Sequence, residues 1–189
     1  GFKLNVQLVK TVCDDIMLDC WQSMDVNYVV RLAEQIAEYR PRWLEEVAMP
    51  DRVDSYRKIR EKTNIPIAGA EHEYTRWGFK RFLDAEALDI IQPDVNWCGG
   101  LSETLKIAAL TTSYDIITIC HQGVSPAGMA FSSVQSPIHT PYVEMLIKHA
   151  ALGYFFFDEG PNFADGMLTV NDKPGLGYDI DPAKTECEE

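Results

Sequence analysis

IAGAEHE, residues 67–73, is one of five short apolar runs in this chain that each end in ionisable side chains. The others are IMLDCW (16–21), RWLEEV (42–47), IIQPDVNW (90–97) and ITICHQG (117–123), and the polar residues that close the set are Asp19, Glu45, Glu71, Asp94 and His121. Asp19 to Glu45 and Glu45 to Glu71 are each 26 residues, Glu71 to Asp94 is 23, and Asp94 to His121 is 27. That interval is one strand plus one helix, and apolar runs of this length suit strands buried on both faces. Repeated βα units close into a parallel barrel, whose catalytic groups sit at the C-terminal ends of the strands. Five such ends carrying three carboxylates, then an Asp and a His, read as one active site.

Composition excludes several function classes. The 189 residues, 46% of them hydrophobic, are enough for one substantial core. The net charge of −12 and the pI near 4.7 would be repelled by a phosphate backbone or an anionic lipid surface, so nucleic acid and membrane are not expected partners. No apolar run approaches the roughly 20 residues of a membrane span, and no signal-peptide pattern opens the chain. Cys13, Cys20, Cys98, Cys120 and Cys187 are odd in number and form no C-x-x-C pair. A disulfide framework is therefore not expected, and a reducing cytoplasm is.

Working outward, the first residues, GFKLNVQLVKTVCDDIMLDCW, read as strand, helix and strand compressed into too little chain. Residues are expected to be missing here. DVNYVVRLAEQIAEY follows as a helix with Asp25 as its N-cap, and Pro41 stops it. PDRVDSYRKIREKTN predicts a helix with Val53, Tyr56 and Ile59 inward. YTRWGFKRFLDAEA predicts another with Phe79, Phe82 and Leu83 inward, and LSETLKIAALTTSY one capped by Ser102. After His121, GVSPAGMAFSSVQS reads as a loop with a short helix and PYVEMLI as a further strand. Residues 1–150 are thus expected to form most of the barrel, and residues 151–189 an extended segment packed over it. KPGLGYD lacks the third glycine and the strand-to-helix setting of a nucleotide loop.

Equivalent positions on neighbouring parallel strands lie near the interstrand spacing of roughly 4.8 Å. Asp19, Glu45 and Glu71 at that separation would repel one another unless a cation lay between them. An all-oxygen set suits a hard ion, most simply Mg²⁺. Each carboxylate alone could equally cap a helix or pair with an arginine; it is the even spacing that favours metal. Glu46 competes with Glu45, but strand alternation turns it to the other face. Asp94 and His121, on the next two strands, would form a dyad in which the carboxylate fixes the imidazole tautomer and raises the basicity of the free nitrogen. A divalent ion facing that base suits proton abstraction next to a carboxylate, with the ion stabilising the enediolate.

These residues resemble the enolase superfamily, in its mandelate racemase branch, which places Asp, Glu and Glu ligands on three successive barrel strands before an Asp–His dyad. MLD, WLEE, AGAE, QPD and CHQG carry the likeness, over about residues 14–180. MLDCWQSMDVNY, AEHEY and QPDVNWCGGL resemble the L-rhamnonate dehydratase group within it. The resemblance implies a TIM-like (β/α)7β barrel, with the N-terminal α+β capping domain and first barrel unit absent from this chain. It implies a Mg²⁺-dependent hydro-lyase acting on a sugar acid such as L-rhamnonate, with Asp19, Glu45 and Glu71 on the metal and His121 and Asp94 as the base and its partner. Trp97, His72 and Lys3 fall at substrate-side positions, Lys3 as the base that the second strand often supplies. A homo-oligomer is implied as well. The last strand of mandelate racemase carries a Glu, and the alignment of VEMLIKH puts Ile147 there, with Glu144 nearby. An epimerase or racemase, or a catalytically silent barrel that binds a metabolite, are the alternatives.

Overall fold

The computed structural model describes residues 2–11 and 13–185. Five parallel strands follow one another in chain order: β1 Met17–Asp19, β2 Trp43–Glu45, β3 Ile67–Gly69, β4 Ile90–Ile91 and β5 Ile117–Thr118. Each connection crosses back through a helix, as parallel neighbours require. The crossovers are α2 Val26–Ile36, α3 Val53–Lys62, α4 Thr75–Asp84 and α5 Leu101–Thr112. This is the barrel architecture expected from the 23- to 27-residue repeat, seen over five strands.

Register explains which side chains face inward. Met17, Leu18 and Asp19 pair with Trp43, Leu44 and Glu45, so Asp19 and Glu45 share one face. Leu44, Ile67 and Ile91 turn outward into a core with Val29, Ile36, Tyr56, Ile59, Phe79, Phe82 and Ile107 from the helices. Trp43, Ala68, Ile90 and Ile119 form a separate cluster on the inner face. Beyond this inner layer, toward the strand ends, come Glu45, Gln92 and His121 at the same alternation.

Helix boundaries follow local chemistry. Asp25 accepts a hydrogen bond from Tyr28 N at 2.9 Å and caps α2 as expected. Tyr56 and Ile59 on α3, and Phe79, Phe82 and Leu83 on α4, are buried. Helix α5 is not capped by Ser102. Gly100, at φ +84, is its N-cap, because Gly99-Gly100 lets the chain turn sharply into the helix two residues earlier.

Two expectations are corrected. Residues Phe2–Lys10 form helix α1, which places Lys3 on a helix rather than at a strand end. Val6 of this helix is buried in the main core, so the segment packs as a crossover helix; the Lys3 side chain lies outside the described residues. PYVEMLI is not a ladder strand. The chain passes β5 with only local pairing, Thr118 N to His139 O at 2.8 Å and Val124 N to Glu144 O at 3.0 Å, and then helix α7 begins at Ile147 and runs to Gly153. The terminal portion was expected to be an extended segment, and part of it is. β6 Asn162–Ala164 and β7 Met167–Thr169 form an antiparallel hairpin, and Tyr154, Phe157 and Tyr178 pack with Val124 and Met129 beside the short helix α6, Pro126–Ser133. Cys13, Cys20, Cys98 and Cys120 are unpaired, and Cys187 lies outside the described residues. Among the described residues no helix is long and apolar enough to cross a membrane.

Candidate active site at the strand ends

The chain leaves four of the five strands through a sharp backbone turn. Trp21 and Gln22 after β1, Glu46 after β2, Ala70 after β3 and Gln122 beyond β5 all have positive φ. Left-handed geometry is costly for residues with a Cβ, and it concentrates where side chains must be aimed at a site. Ala70 shows the purpose. Ala68 faces inward, so simple alternation would turn Glu71 outward; the left-handed Ala70 swings it back to the mouth of the barrel. Gly69 makes room beside it, because a Cβ there would lie 2.6 Å from Glu46 Oε1.

Asp94, His121 and Glu71 are in direct contact, and Glu45 and Asp19 lie close enough to act on Glu71 through their charge. Among the described residues, however, Asp19, Glu45 and Glu71 do not form a group with ligand atoms within 4.8 Å of one another. His121 Nδ1–H donates to Asp94 Oδ2 at 3.0 Å, and His121 Nε2 lies 3.4 Å from Glu71 Oε2. A parallel bridge between Asp94 and His121 holds the two backbones side by side, and Asn96 N anchors the other Asp94 oxygen at 2.7 Å. Glu45 is buried and accepts from Trp43 Nε1 at 2.9 Å. Asp19 is exposed at the rim, and its Oδ1 accepts from Trp21 N at 2.8 Å.

Electrostatics mark this cluster as crowded with negative charge. Burial, reinforced by Glu144 and Asp19 and only partly offset by the Gln92 and Trp43 hydrogen bonds, pushes Glu45 up to about 7. Burial does the same to Glu71, to about 8; His121 opposes this and Glu46, Glu45 and Asp19 add to it. Burial would lower His121, but the hydrogen bond to Asp94 and the charges of Glu144, Glu71 and Asp94 outweigh it and hold the imidazole at about 9. Among the described residues no Lys or Arg is a leading cause of these shifts, and the cationic partner is His121 itself. The carboxylate donor set is all oxygen, which fits a hard divalent cation.

Glu144 is the group that the alignment of the last strand missed. It accepts from Gln122 N at 2.8 Å, and its buried carboxyl, pushed up by desolvation against the pull of His121, faces His121, Asp19 and Asp94. Ile147, which that alignment had put in its place, is 81% exposed at the start of α7. Three residues further up the chain, the irregular path before α7 carries Glu144 inward, and no periodic pattern in the sequence signals that turn.

Glu46 turns away from the mouth, as alternation predicts, yet it stays within the assembly. Fully buried, it accepts from Ala70 N at 2.7 Å and Gln22 Nε2 at 2.9 Å. Glu46, Glu71 and His72 bring potential ligand atoms within 4.8 Å of one another. His72 Nδ1 meets Gln22 Nε2 at 2.6 Å, and Trp97 stands edge-on to its ring, 5.6 Å between centroids, while donating to His72 O at 3.0 Å. Trp97, 57% exposed, and His72 therefore form one wall of the mouth, and Lys3 on α1 belongs to no strand end.

Residues 5–184 match the enolase C-terminal domain-like family model. The chain belongs to that family. It is 35% identical over 197 aligned positions to an L-rhamnonate dehydratase from Saccharopolyspora erythraea, covering 96% of this chain and 50% of that protein. Rhamnonate dehydratase from Gibberella zeae, solved in complex with Mg, superposes with a TM-score of 0.85 at 34% identity, covering 97% of this chain and 48% of that one. A racemase from Streptomyces coelicolor A3(2) with bound magnesium gives 0.87 at 25% identity, covering 97% and 50%. The chain spans about half the length of the relatives it matches.

Proposed function

We propose that this chain carries the catalytic barrel of a Mg²⁺-dependent acid-sugar dehydratase that acts on L-rhamnonate or a related aldonate. The observation that supports it is the Asp94–His121 dyad with its free nitrogen 3.4 Å from Glu71, beside the uncompensated carboxylates Glu45 and Asp19. Likeness to two L-rhamnonate dehydratases directs the choice of substrate class. Asp19, Glu45 and Glu71 would hold the cation, which when bound stabilises negative charge developing on the substrate carboxylate. His121 Nε2 removes the proton α to that carboxylate, and Asp94 keeps Nδ1 protonated so that Nε2 faces the substrate. The same imidazolium then returns a proton to the departing 3-hydroxyl, giving a 2-keto-3-deoxy acid. Glu144, whose acid form burial favours, offers a hydrogen bond to the substrate carboxylate from the far side of His121. His72 and Trp97 border the entrance, where they would meet the distal hydroxyls. A cytoplasmic homo-oligomer fits this role.

The test is incubation of the protein with Mg²⁺ and a panel of aldonic acids, assayed for 2-keto-3-deoxy product. Product from L-rhamnonate or a close relative, lost on chelation and reduced roughly 10²- to 10⁴-fold by His121→Asn, is the expected result. Deuterium exchange from solvent at C2 without product would replace the dehydratase with an epimerase, a reading that the racemase likeness keeps open. Neither product nor exchange with any acid would overturn both.

A further inference from the structure

Gln92 presents an anomaly that the roles assigned so far do not use. It is 2% exposed, and its carbonyl oxygen Oε1 has no hydrogen-bond partner among the described residues. Its place is the inner face of the barrel, two residues beyond Ile90 in the interior cluster and two before Asp94. The amide nitrogen side of the same group hydrogen-bonds the Glu45 carboxylate. Because the amide is planar, donating N–H to Glu45 aims the C=O elsewhere. Turning the group over would press its oxygen against a carboxylate and orphan two donors instead.

A buried amide carbonyl is rarely left without a donor, and the protein supplies none nearby. Trp43 Nε1–H is already spent on Glu45. The Thr118 hydroxyl is paired with that of Thr111 at 2.6 Å. Ala68, Ile90 and Ile119, which make up the rest of the inner layer, are apolar. A water would satisfy the carbonyl, since it can donate one hydrogen to Gln92 and still present a lone pair outward. The outward side holds Asp19, Glu45 and Glu71, whose charges call for a cation rather than a further acceptor. A hard octahedral ion takes about six oxygens. Asp19, Glu45 and Glu71 would hold such an ion and would leave room for water among its ligands.

We infer that Gln92 is a positioning residue for the metal site, holding Glu45 through its N–H and one metal-bound water through its C=O from inside the barrel. This rests on the cation-site reading above. Mn²⁺ is the probe, with affinity read from free Mn²⁺ by electron paramagnetic resonance and exchange of bound water read by ¹⁷O relaxation. Gln92→Met, close in shape and lacking both amide groups, is expected to weaken Mn²⁺ roughly 10- to 100-fold. It is also expected to speed the exchange of one bound water that is slow in the unaltered protein. Trp43→Phe removes the other donor on Glu45 and is expected to weaken Mn²⁺ while leaving the slow water in place. Equal affinity and equal exchange in Gln92→Met would overturn the role of Gln92 alone. Failure of the unaltered protein to bind Mn²⁺ would overturn the cation site and this role together. Should Gln92→Met not fold, Gln92→Glu keeps an acceptor for the water and is expected to retain slow exchange; fast exchange there would also overturn the proposal.

Discussion

His121 and Glu144 show how little separates a site residue from its neighbours. His121 owes its position to the parallel pairing with Asp94, and the pair is useful only while Nδ1 carries the proton. Asp94→Asn keeps the shape but removes the anionic acceptor; turnover is expected to fall roughly 10- to 100-fold with Mn²⁺ affinity unchanged, measured by steady-state kinetics and metal titration. Glu144 and Ile147 provide a sharper contrast, because the alignment favours one and the fold the other. Glu144→Gln is expected to lower kcat by about tenfold or more. Ile147→Ala, at a solvent-facing position, is expected to leave kcat within about twofold. The reverse outcome would restore the alignment.

At the level of elements, the site depends on helices that never touch substrate. Phe82 on α4 is buried among the outward-facing strand residues, and Phe82→Ala is expected to cost about 3–5 kcal/mol in chemical denaturation. The α2 cap is worth less: Asp25→Ala is expected to cost about 1 kcal/mol in the same assay. Both changes lie outside the strand-end turns, so catalysis at low temperature should survive them. These helices were legible from the spacing of Tyr56, Ile59, Phe79 and Phe82, because burying one face imposes a 3.6-residue period. The segment before α7 was not, since a path held by isolated contacts such as Val124 N to Glu144 O imposes no period at all.

For the whole molecule, acid stability and metal response separate two kinds of carboxylate. Glu103, held by Arg76 through two side-chain hydrogen bonds of 2.8 Å, is drawn down to about 2. A lowered carboxyl stabilises the fold above its unfolded value near 4.5, and that contribution is lost as pH falls toward 2. Arg76→Gln should therefore narrow the stability difference between pH 6 and pH 2.5, with the loss confined to the upper value. Glu45 acts in the opposite sense, raised first by burial and then by the charges of Glu144 and Asp19. Glu45→Gln is expected to raise the melting temperature in chelator, by an amount equivalent to about 0.5–2 kcal/mol, and to abolish the further rise that saturating Mg²⁺ gives the unaltered protein. Differential scanning calorimetry with and without Mg²⁺ reads both effects.

The sequence by itself determined the βα repeat, the strand-end positions of Asp19, Glu45, Glu71, Asp94 and His121, and the acidic character of the mouth; that Glu71 turns inward rests on the left-handed Ala70. Those are consequences of apolar periodicity and strand register, which act over a few residues and leave a visible pattern. Only the tertiary structure decided that α1 is a helix rather than the strand that Lys3 would have needed, that Glu144 and not Ile147 enters the site, and that Gln92 lies buried with an unanswered carbonyl. The physical reason is common to all three. Each depends on which neighbours close around a residue from distant parts of the chain, and contacts of that kind carry no period along the sequence.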